Sequence, residues 1–340
     1  MKMIYPAEWE TQKSIWLAFP HSKNWRGKFR DRIREFYFEL IHICARFQPV
    51  NVLVPFDFRL PDSEQKKFSK EKFKPKFIPL ETDDVWIRDY GPFFVYDESG
   101  NEIAVKFEFN AWGRKFPPWS KDNAVPSAIA TFQKIPILKN SFLFEGGAIE
   151  VNGDGLGMTT LPCLVGKNRN DIRAQKEFEK SLKESLGLRE LLILPHGLYG
   201  DHTDGHIDNV ARFVSNSHVI IAKEDSPKGK NHRSLLQAKL AIEKWLTSHY
   251  GKSARVDALQ LPTQKPFYGG VLPASYMNFI FLNGALVYPK YEKGYDLEAE
   301  SFFKELFPDR EIIGIDATTV IRQGGSLHCI SKQESAFPSR

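Results

Sequence analysis

One order of elements recurs along this chain: a β-hairpin, then a helix, then a strand. The stretch from Phe93 to Phe109 reads as two strands joined by a turn at Glu98 to Asn101. A short helical segment near Val125 to Phe132 follows, and then an apolar strand ending at Phe144. The order restarts at Ala148 to Thr160 with an Asn-Gly turn, a helix from Asp171 to Leu186 with Asp171 as a first-turn acid, and the strand Leu191 to Leu194. A third copy runs from Val210 to Ala222, through a long helix near Ser234 to His249, to the strand Val256 to Leu261. The fourth begins at Tyr276 to Pro289, again with Asn-Gly at its turn, and continues through Leu297 to Leu306 and Glu311 to Ile315.

The last strand, Ser326 to Ile330, has no hairpin partner after it. Its missing pieces stand at the other end of the chain: the strand Ser14 to Phe19, a helix from Asp31 to Phe47, and the strand Val50 to Val54. That helix sets Ile33, Tyr37, Leu40, Ile41 and Cys44 on one face at three- and four-residue steps, with Asp31 at its start. A fifth module completed by both chain ends implies a closed ring, because closure removes exposed strand edges. An open doubly wound sheet would alternate single strands with helices instead. The expectation is an α/β ring of five modules forming one domain, 1–340, with no internal linker.

Composition excludes several classes. Hydrophobic residues make up 42 % of the 340, enough for a packed interior. The three cysteines, Cys44, Cys163 and Cys329, are odd in number and lack C-x-x-C spacing. That argues against a disulfide framework or a thiolate zinc site and suits a reducing cytoplasm. The N-terminal stretch has charges and a proline where a secretory signal needs an apolar run, and no stretch reaches the length of a membrane span. Net charge is +5, and the basic excess gathers between Lys66 and Lys76. No aromatic platform or recognition motif accompanies that run, so it reads as a solvated face and not as a nucleic-acid patch. The expected partner is a small molecule; no nucleic acid or membrane is expected, and a homo-oligomer is compatible with the sequence.

Reactive side chains fall at the module starts. Asp89 precedes the first hairpin, Glu145 the second, and His206 with Asp208 the third; Tyr276 opens the fourth, and Cys329 lies in the last strand. The spacings are 56, 61, 70 and 53 residues, close to one module each. In a ring, equivalent module starts converge on one axis and share one cavity. Each residue alone has a plainer reading. Cys329 could be a small buried core residue, as Cys44 and Cys163 are expected to be; His206 could be a loop histidine, and Asp89 could pair with Arg88. Their shared placement favours the functional reading.

These residues carry a resemblance. PAEWE (Pro6 to Glu10), WLAFP (Trp16 to Pro20), DDVWIRDYGP (Asp83 to Pro92), FNAWG, FEGGAIEVNG, TDGHIDN (Thr203 to Asn209), LPASYMNF and GGSLHCIS (Gly324 to Ser331) run through the whole chain. Together they resemble the agmatine deiminase and bacterial-type peptidyl-arginine deiminase family, guanidino-modifying enzymes of pentein fold. The resemblance implies a five-module α/β propeller, no metal and no organic cofactor. Cys329 resembles the family nucleophile, His206 its general acid/base, and Asp89 and Asp208 the two carboxylates that hold a guanidinium. Tyr90 departs from the pattern, which leads one to expect a smaller residue such as threonine and bears on the pocket's shape.

The residue types suit that chemistry. A guanidinium carbon is a poor electrophile, because its charge is spread over three nitrogens. Thiolate is a strong nucleophile, yet a free cysteine of pKa near 8.5 is only about 3 % ionised at pH 7, so a neighbouring cation must help. Two aspartates can each accept a pair of N–H bonds and fix the carbon for attack. Agmatine is the expected substrate, with peptidyl-arginine as the alternative. A papain-like hydrolase is disfavoured, since two aspartates would repel an oxyanion, and a non-catalytic binder using Lys66 to Lys76 is the remaining, less favoured alternative. For the distal amine the candidates are Glu145 as anion and Trp86 as a wall, with Asp83, Asp84 and Asp204 adding to an acidic rim. Strand parity points Arg88 away from Asp89 and leaves Arg212 as the cation that could face the cavity.

Overall fold

The computed structural model describes residues 2–21, 25, 28–166, 168–264, 266–267 and 270–338. Each expected module is a small sheet whose central strand pairs antiparallel with one neighbour and parallel with the other. Phe93–Tyr96 lies antiparallel to Glu102–Glu108, which runs parallel to Ile137–Leu143. The helix Ser120–Gln133 links the two parallel strands. A parallel pair needs such a crossover because a tight turn can only reverse the chain. The same pattern recurs in Glu150–Val151, Leu156–Thr160 and Glu190–Leu194, in Ala211–Ser215, His218–Lys223 and Arg255–Gln260, and in Ile280–Leu282, Ala285–Lys290 and Glu311–Asp316. In the remaining sheet Ser331–Ser335, from the far end of the chain, pairs antiparallel with Gln12–Ala18, which runs parallel to Val50–Val54. Five such sheets are present among the described residues, in the arrangement read from the sequence.

Two elements differ from expectation. The basic run between Lys66 and Lys76 keeps its lysines exposed, as a solvated face does, but the apolar residues between them pack inward. It holds the end of a helix, Asp62–Phe68, and the first residue of a strand, Lys76–Pro79, that extends the terminal sheet to four strands. Phe68 from that helix is buried against the core, stacked on His42, which sequence charge alone did not show. The second difference is the last strand. It spans Ser331–Ser335, so Cys329 stands in a turn just before it and does not alternate with Leu327 along a strand. The other module starts share this local shape: a single helical turn at Ile87–Tyr90, Gly146–Ala148 and Ile207–Asn209 leads into each first strand. A tight turn aims one side chain at the axis while the strand after it enters the core.

The helix Lys28–Ala45 shows why the ends of the chain close the ring. Ile33, Tyr37, Leu40, Ile41 and Cys44 are all fully buried on its inner face. The helix packs over the strands that receive Ser331–Ser335, so the C-terminal strand is held by core made at the N-terminus. No helix among the described residues is long and apolar enough to cross a membrane. Leu40→Ala would open a cavity beneath the closing sheet and should cost about 2–5 kcal/mol. Urea unfolding should show that loss, whereas a midpoint shift worth under about 1 kcal/mol would mean the helix is not an integral part of the closure.

Candidate active site

The five module starts meet. Glycine marks how closely: a Cβ on Gly147 would lie 2.6 Å from Nδ1 of His206, 2.8 Å from Oδ1 of Asp89 and 3.0 Å from Oδ2 of Asp208. Gly147 is thus the only residue type that lets these three groups approach one point. Its backbone N–H donates to Oδ1 of Asp89 at 2.9 Å. Nδ1 of His206 stands 3.6 Å from the same oxygen, and Nε2 stands 3.9 Å from Glu145.

Beside this cluster lies a narrow cavity. Trp86, Trp112 and Phe116 wall it, with Asp84, His202, Thr203, Gln323 and Gly325; Asp89 and Cys329 reach it from within. His206 and Asp208 are fully buried next to them. Trp86 lies so close to Gly325 that a Cβ there would sit 2.3 Å from the indole. Asp208 Oδ1, Glu145 Oε2 and both ring nitrogens of His206 have no hydrogen-bond partner among the described residues. Buried polar atoms of this kind normally find partners, and a planar cation with several N–H groups would supply donors to the carboxylate oxygens among them.

Asp89 is held from a second side by strain. Ala111, Trp112, Gly113 and Arg114 all have positive φ, at 53°, 54°, 86° and 65°. Left-handed backbone costs about 1–2 kcal/mol per non-glycine residue. Asn110 caps this turn by accepting from Gly113 N–H at 2.8 Å, and Lys115 ties it down by ion-pairing with Asp204. The result is that Trp112 Nε1 donates to Oδ2 of Asp89 at 2.9 Å. The FNAWG segment therefore has a site role that sequence reasoning did not assign.

Of the other sequence candidates, Glu145 does not face the mouth. Arg169, itself buried, donates to it at 2.9 Å, and its second oxygen faces His206. Asp204 sits on the rim with positive φ, engaged by both Lys115 and Arg169. Asp83 accepts from the backbone of Lys121 and does not line the cavity, whereas Asp84, which accepts from the backbone of Val85, does. The acidic rim is thus narrower than the sequence suggested. Tyr90 stands behind the wall, its hydroxyl on the Asp84 carbonyl at 2.7 Å, so its bulk does not intrude. Tyr276 bonds Asp296 and contributes nothing to the cavity wall.

Beneath the cluster runs a charged chain that sequence reasoning missed. His328 Nδ1 meets Oδ2 of Asp208 at 2.7 Å, and its Nε2 meets Glu8 at 2.8 Å. Arg212 Nη2 donates to the same Glu8 at 2.8 Å, and its Nε stands 2.5 Å from Glu150. Glu8, Glu150 and His328 have cation-binding donor types within reach of one another, and the guanidinium of Arg212 already joins the two carboxylates. Arg212 therefore serves the scaffold and does not line the cavity. Arg88 points away from Asp89, as parity suggested, though the cause is a helical turn; it reaches the His328 carbonyl and Gln333.

Charges in this cluster are set by burial and by one another. Burial opposes protonation of His206, but Asp89, Glu145 and Asp208 outweigh it and raise the imidazole to about 9. Burial raises Asp89 to about 6, against the pull of His206 and with the push of Asp208 and Glu145. Burial also works against Asp208, yet His328 and His206 hold it below its ordinary value. Burial, then Asp208 and Asp89, push the Cys329 thiol well up. At neutral pH these shifts keep the sulfur protonated and the imidazole charged.

A model of the Porphyromonas-type peptidyl-arginine deiminase family matches residues 4–335. The chain belongs to that family. A curated relative, the agmatine deiminase of Pseudomonas fluorescens Pf-5, is 31 % identical over 97 % of this chain and 95 % of its own. Among solved structures, a cysteine-to-serine variant of C. jejuni agmatine deiminase with substrate bound superposes with a TM-score of 0.87 at 31 % identity, covering 98 % of this chain and 96 % of its own. The agmatine deiminase of Enterococcus faecalis gives 0.88 at 26 % identity with the same coverage. The five-module architecture is therefore the pentein fold of this family.

His206 should remain an imidazolium through neutral pH. Its folded value of about 9 lies above the ordinary 6.5, so its contribution to stability is complete below pH 6.5 and vanishes as the pH rises through about 9. Nitrogen-15 histidine spectra should show one ring titrating near 9, absent in His206→Gln. A His206 midpoint below 7 would contradict the electrostatics described.

Proposed function

We propose that this chain hydrolyses agmatine to N-carbamoylputrescine and ammonia through a covalent adduct on Cys329. The observation that carries the reading is a buried thiol set among Asp89, Asp208 and a protonated His206, an arrangement that seeks a planar cation. The names of its relatives support agmatine over peptidyl-arginine, and the substrate-bound cysteine-to-serine variant of the C. jejuni enzyme supports a cysteine as the reacting group.

Asp89 and Asp208 take the guanidinium N–H groups, Asp208 through its unpartnered Oδ1. The incoming positive charge offsets the two carboxylates that hold the thiol up, so the thiol gives its proton to solvent and thiolate forms as substrate arrives. Sulfur adds to the central carbon. His206 gives its proton to one terminal nitrogen, the C–N bond breaks, and ammonia leaves. The adduct is an S-alkylthiouronium. His206, now neutral, takes a proton from water; the hydroxide adds to the same carbon, the C–S bond breaks, and the hydroxyl proton passes to solvent, which returns thiolate, an imidazolium and a substituted urea. Glu145, held by Arg169, keeps His206 in place and supports its charged form. Charge develops here on nitrogen and not on an oxyanion, so carboxylates take the place that N–H donors hold in acyl transfer.

The aromatic walls suit a short alkyl chain, and Asp84 at the mouth suits its distal ammonium. Three free cysteines, one of them catalytic, fit a cytoplasmic setting, and the product lies on a route to putrescine.

Cys329→Ser should fold and lose ammonia release from agmatine, whereas Cys44→Ser and Cys163→Ser, at buried sites that do not line the cavity, should keep it. Ammonia release by folded Cys329→Ser at a tenth of the wild-type rate or more would end this assignment. Asp84→Asn tests the distal end. It should lower kcat/KM for agmatine about ten- to a hundredfold while leaving n-butylguanidine, which lacks the amine, nearly unchanged. Equal losses on both substrates would show that Asp84 acts on the site's structure and not on the ammonium.

A further inference from the structure

The fourth module start provides no reactive group in the mechanism above, yet it does reach the sulfur. Asn278, fully buried, lies just before the strand Ile280–Leu282, as Asp208 and Cys329 lie just before theirs. Its Oδ1 accepts the backbone N–H of His328 at 2.9 Å and stands 3.4 Å from that of Cys329. Both partners are donors and cannot be otherwise, so this end of the amide must be oxygen. The opposite end must then be NH2. It stands 3.0 Å from Asn209 Oδ1 and 3.3 Å from Cys329 Sγ.

We propose that Asn278 is a catalytic residue, the N–H donor that stabilises the Cys329 thiolate and, in the last step, the thiolate as leaving group. The proposal rests on the reading of Cys329 as nucleophile. The need for a donor is local. Asp89 and Asp208 face the sulfur from the first and third modules, and the phenol of Tyr291 lies near it, bonded to Ser326. His328, next in sequence, turns its ring to Asp208 and Glu8 and so offers the sulfur nothing. Before substrate arrives and after product forms, the two carboxylates outweigh His206 around the sulfur, and the amide NH2, at 3.3 Å against 3.6 Å for its oxygen, supplies a donor to the thiolate. The same side chain fixes the turn's backbone, which aims the sulfur; the donor and the anchor are one group.

The test separates these two roles. Asn278→Asp keeps an acceptor for the backbone N–H groups of His328 and Cys329 but replaces the donor at sulfur by an anion. Asn278→Ala removes the donor without adding charge. The rate of alkylation by iodoacetamide, followed against pH with no substrate and located on the Cys329 peptide by mass spectrometry, reads the thiol directly. The aspartate variant should move that midpoint up by one unit or more, and the alanine variant less but in the same direction. At pH 7 kcat should fall about 100-fold in the aspartate variant and partly recover at higher pH, with KM for agmatine within about threefold. Asn278→Ser, too short to reach sulfur, serves where either variant fails to fold and should shift the midpoint upward. An unmoved midpoint in the folded variants, with activity lost equally at every pH, would overturn the proposal and leave Asn278 an anchor only. Cys329→Ser decides the nucleophile separately, because the alkylation profile needs no turnover.

Discussion

One buried imidazole joins three distant parts of the chain. His328 places its two nitrogens 2.7 and 2.8 Å from carboxylates of Asp208 and Glu8, one from the third module and one from the N-terminal segment. A neutral ring can donate to only one of them. Both contacts therefore require a doubly protonated ring or a protonated carboxylate, and either way the link holds one proton more than three independent groups would. Burial, Arg212 and Arg88 pull the ring below its ordinary value in spite of Glu8 and Asp208, so it is the two short contacts and not the surrounding charge that call for the extra proton. Removing any one member would leave a charge without its partner in the interior, the costliest way to break such a chain.

Site geometry follows from that link. With Oδ2 of Asp208 taken by His328, only Oδ1 is left to meet a ligand, which fixes the direction from which Asp208 can be approached. Asp89 is fixed in the same manner by Gly147 and Trp112, one donor on each oxygen. The strained turn at Ala111 to Arg114 makes sense in these terms. Its backbone is unfavourable by itself, and it persists because Asn110, Lys115 and Asp89 hold it in place. A carboxylate with both oxygens already engaged cannot rotate to follow a misplaced substrate.

The modules were legible because their signals are local: hairpin turns, a 3.6-residue apolar stripe ending at Cys44, and reactive residues about one module apart. The position of Cys329 was misread for a local reason as well. SLHCI alternates like a strand, but Asn278 captures the N–H groups of His328 and Cys329 and holds the segment in a turn. That capture comes from 50 residues away, beyond any window of periodicity. The fourth module did leave a trace, since Tyr276 stands only two residues from Asn278; spacing marked the place and could not choose the side chain. Glu8 and His328 left less, because a carboxylate in PAEWE and a histidine beside a cysteine acquire meaning only when the ring closes. Glu145 was correctly placed at a module start, yet its partner Arg169 lies in a loop with no motif of its own, so its orientation toward His206 was invisible.

The pattern of charge explains why a neutral isostere of the substrate would fare badly. Asp89, Glu145 and Asp208 surround one point with His206 as the cation among them, while Arg169 attends to Glu145 from outside. The cluster thus carries more negative than positive charge in a medium that screens poorly, and burial first, then Asp208 and Glu145, raise Asp89 to about 6 against the pull of His206. At neutral pH Asp89 pays for its ionised state with a loss of folding stability, which a guanidinium returns on binding. A neutral urea, the product, restores none of it and offers fewer N–H groups to Asp208. Binding and release are therefore driven by the same surplus: it draws in the cation, and it has no use for what the cation becomes.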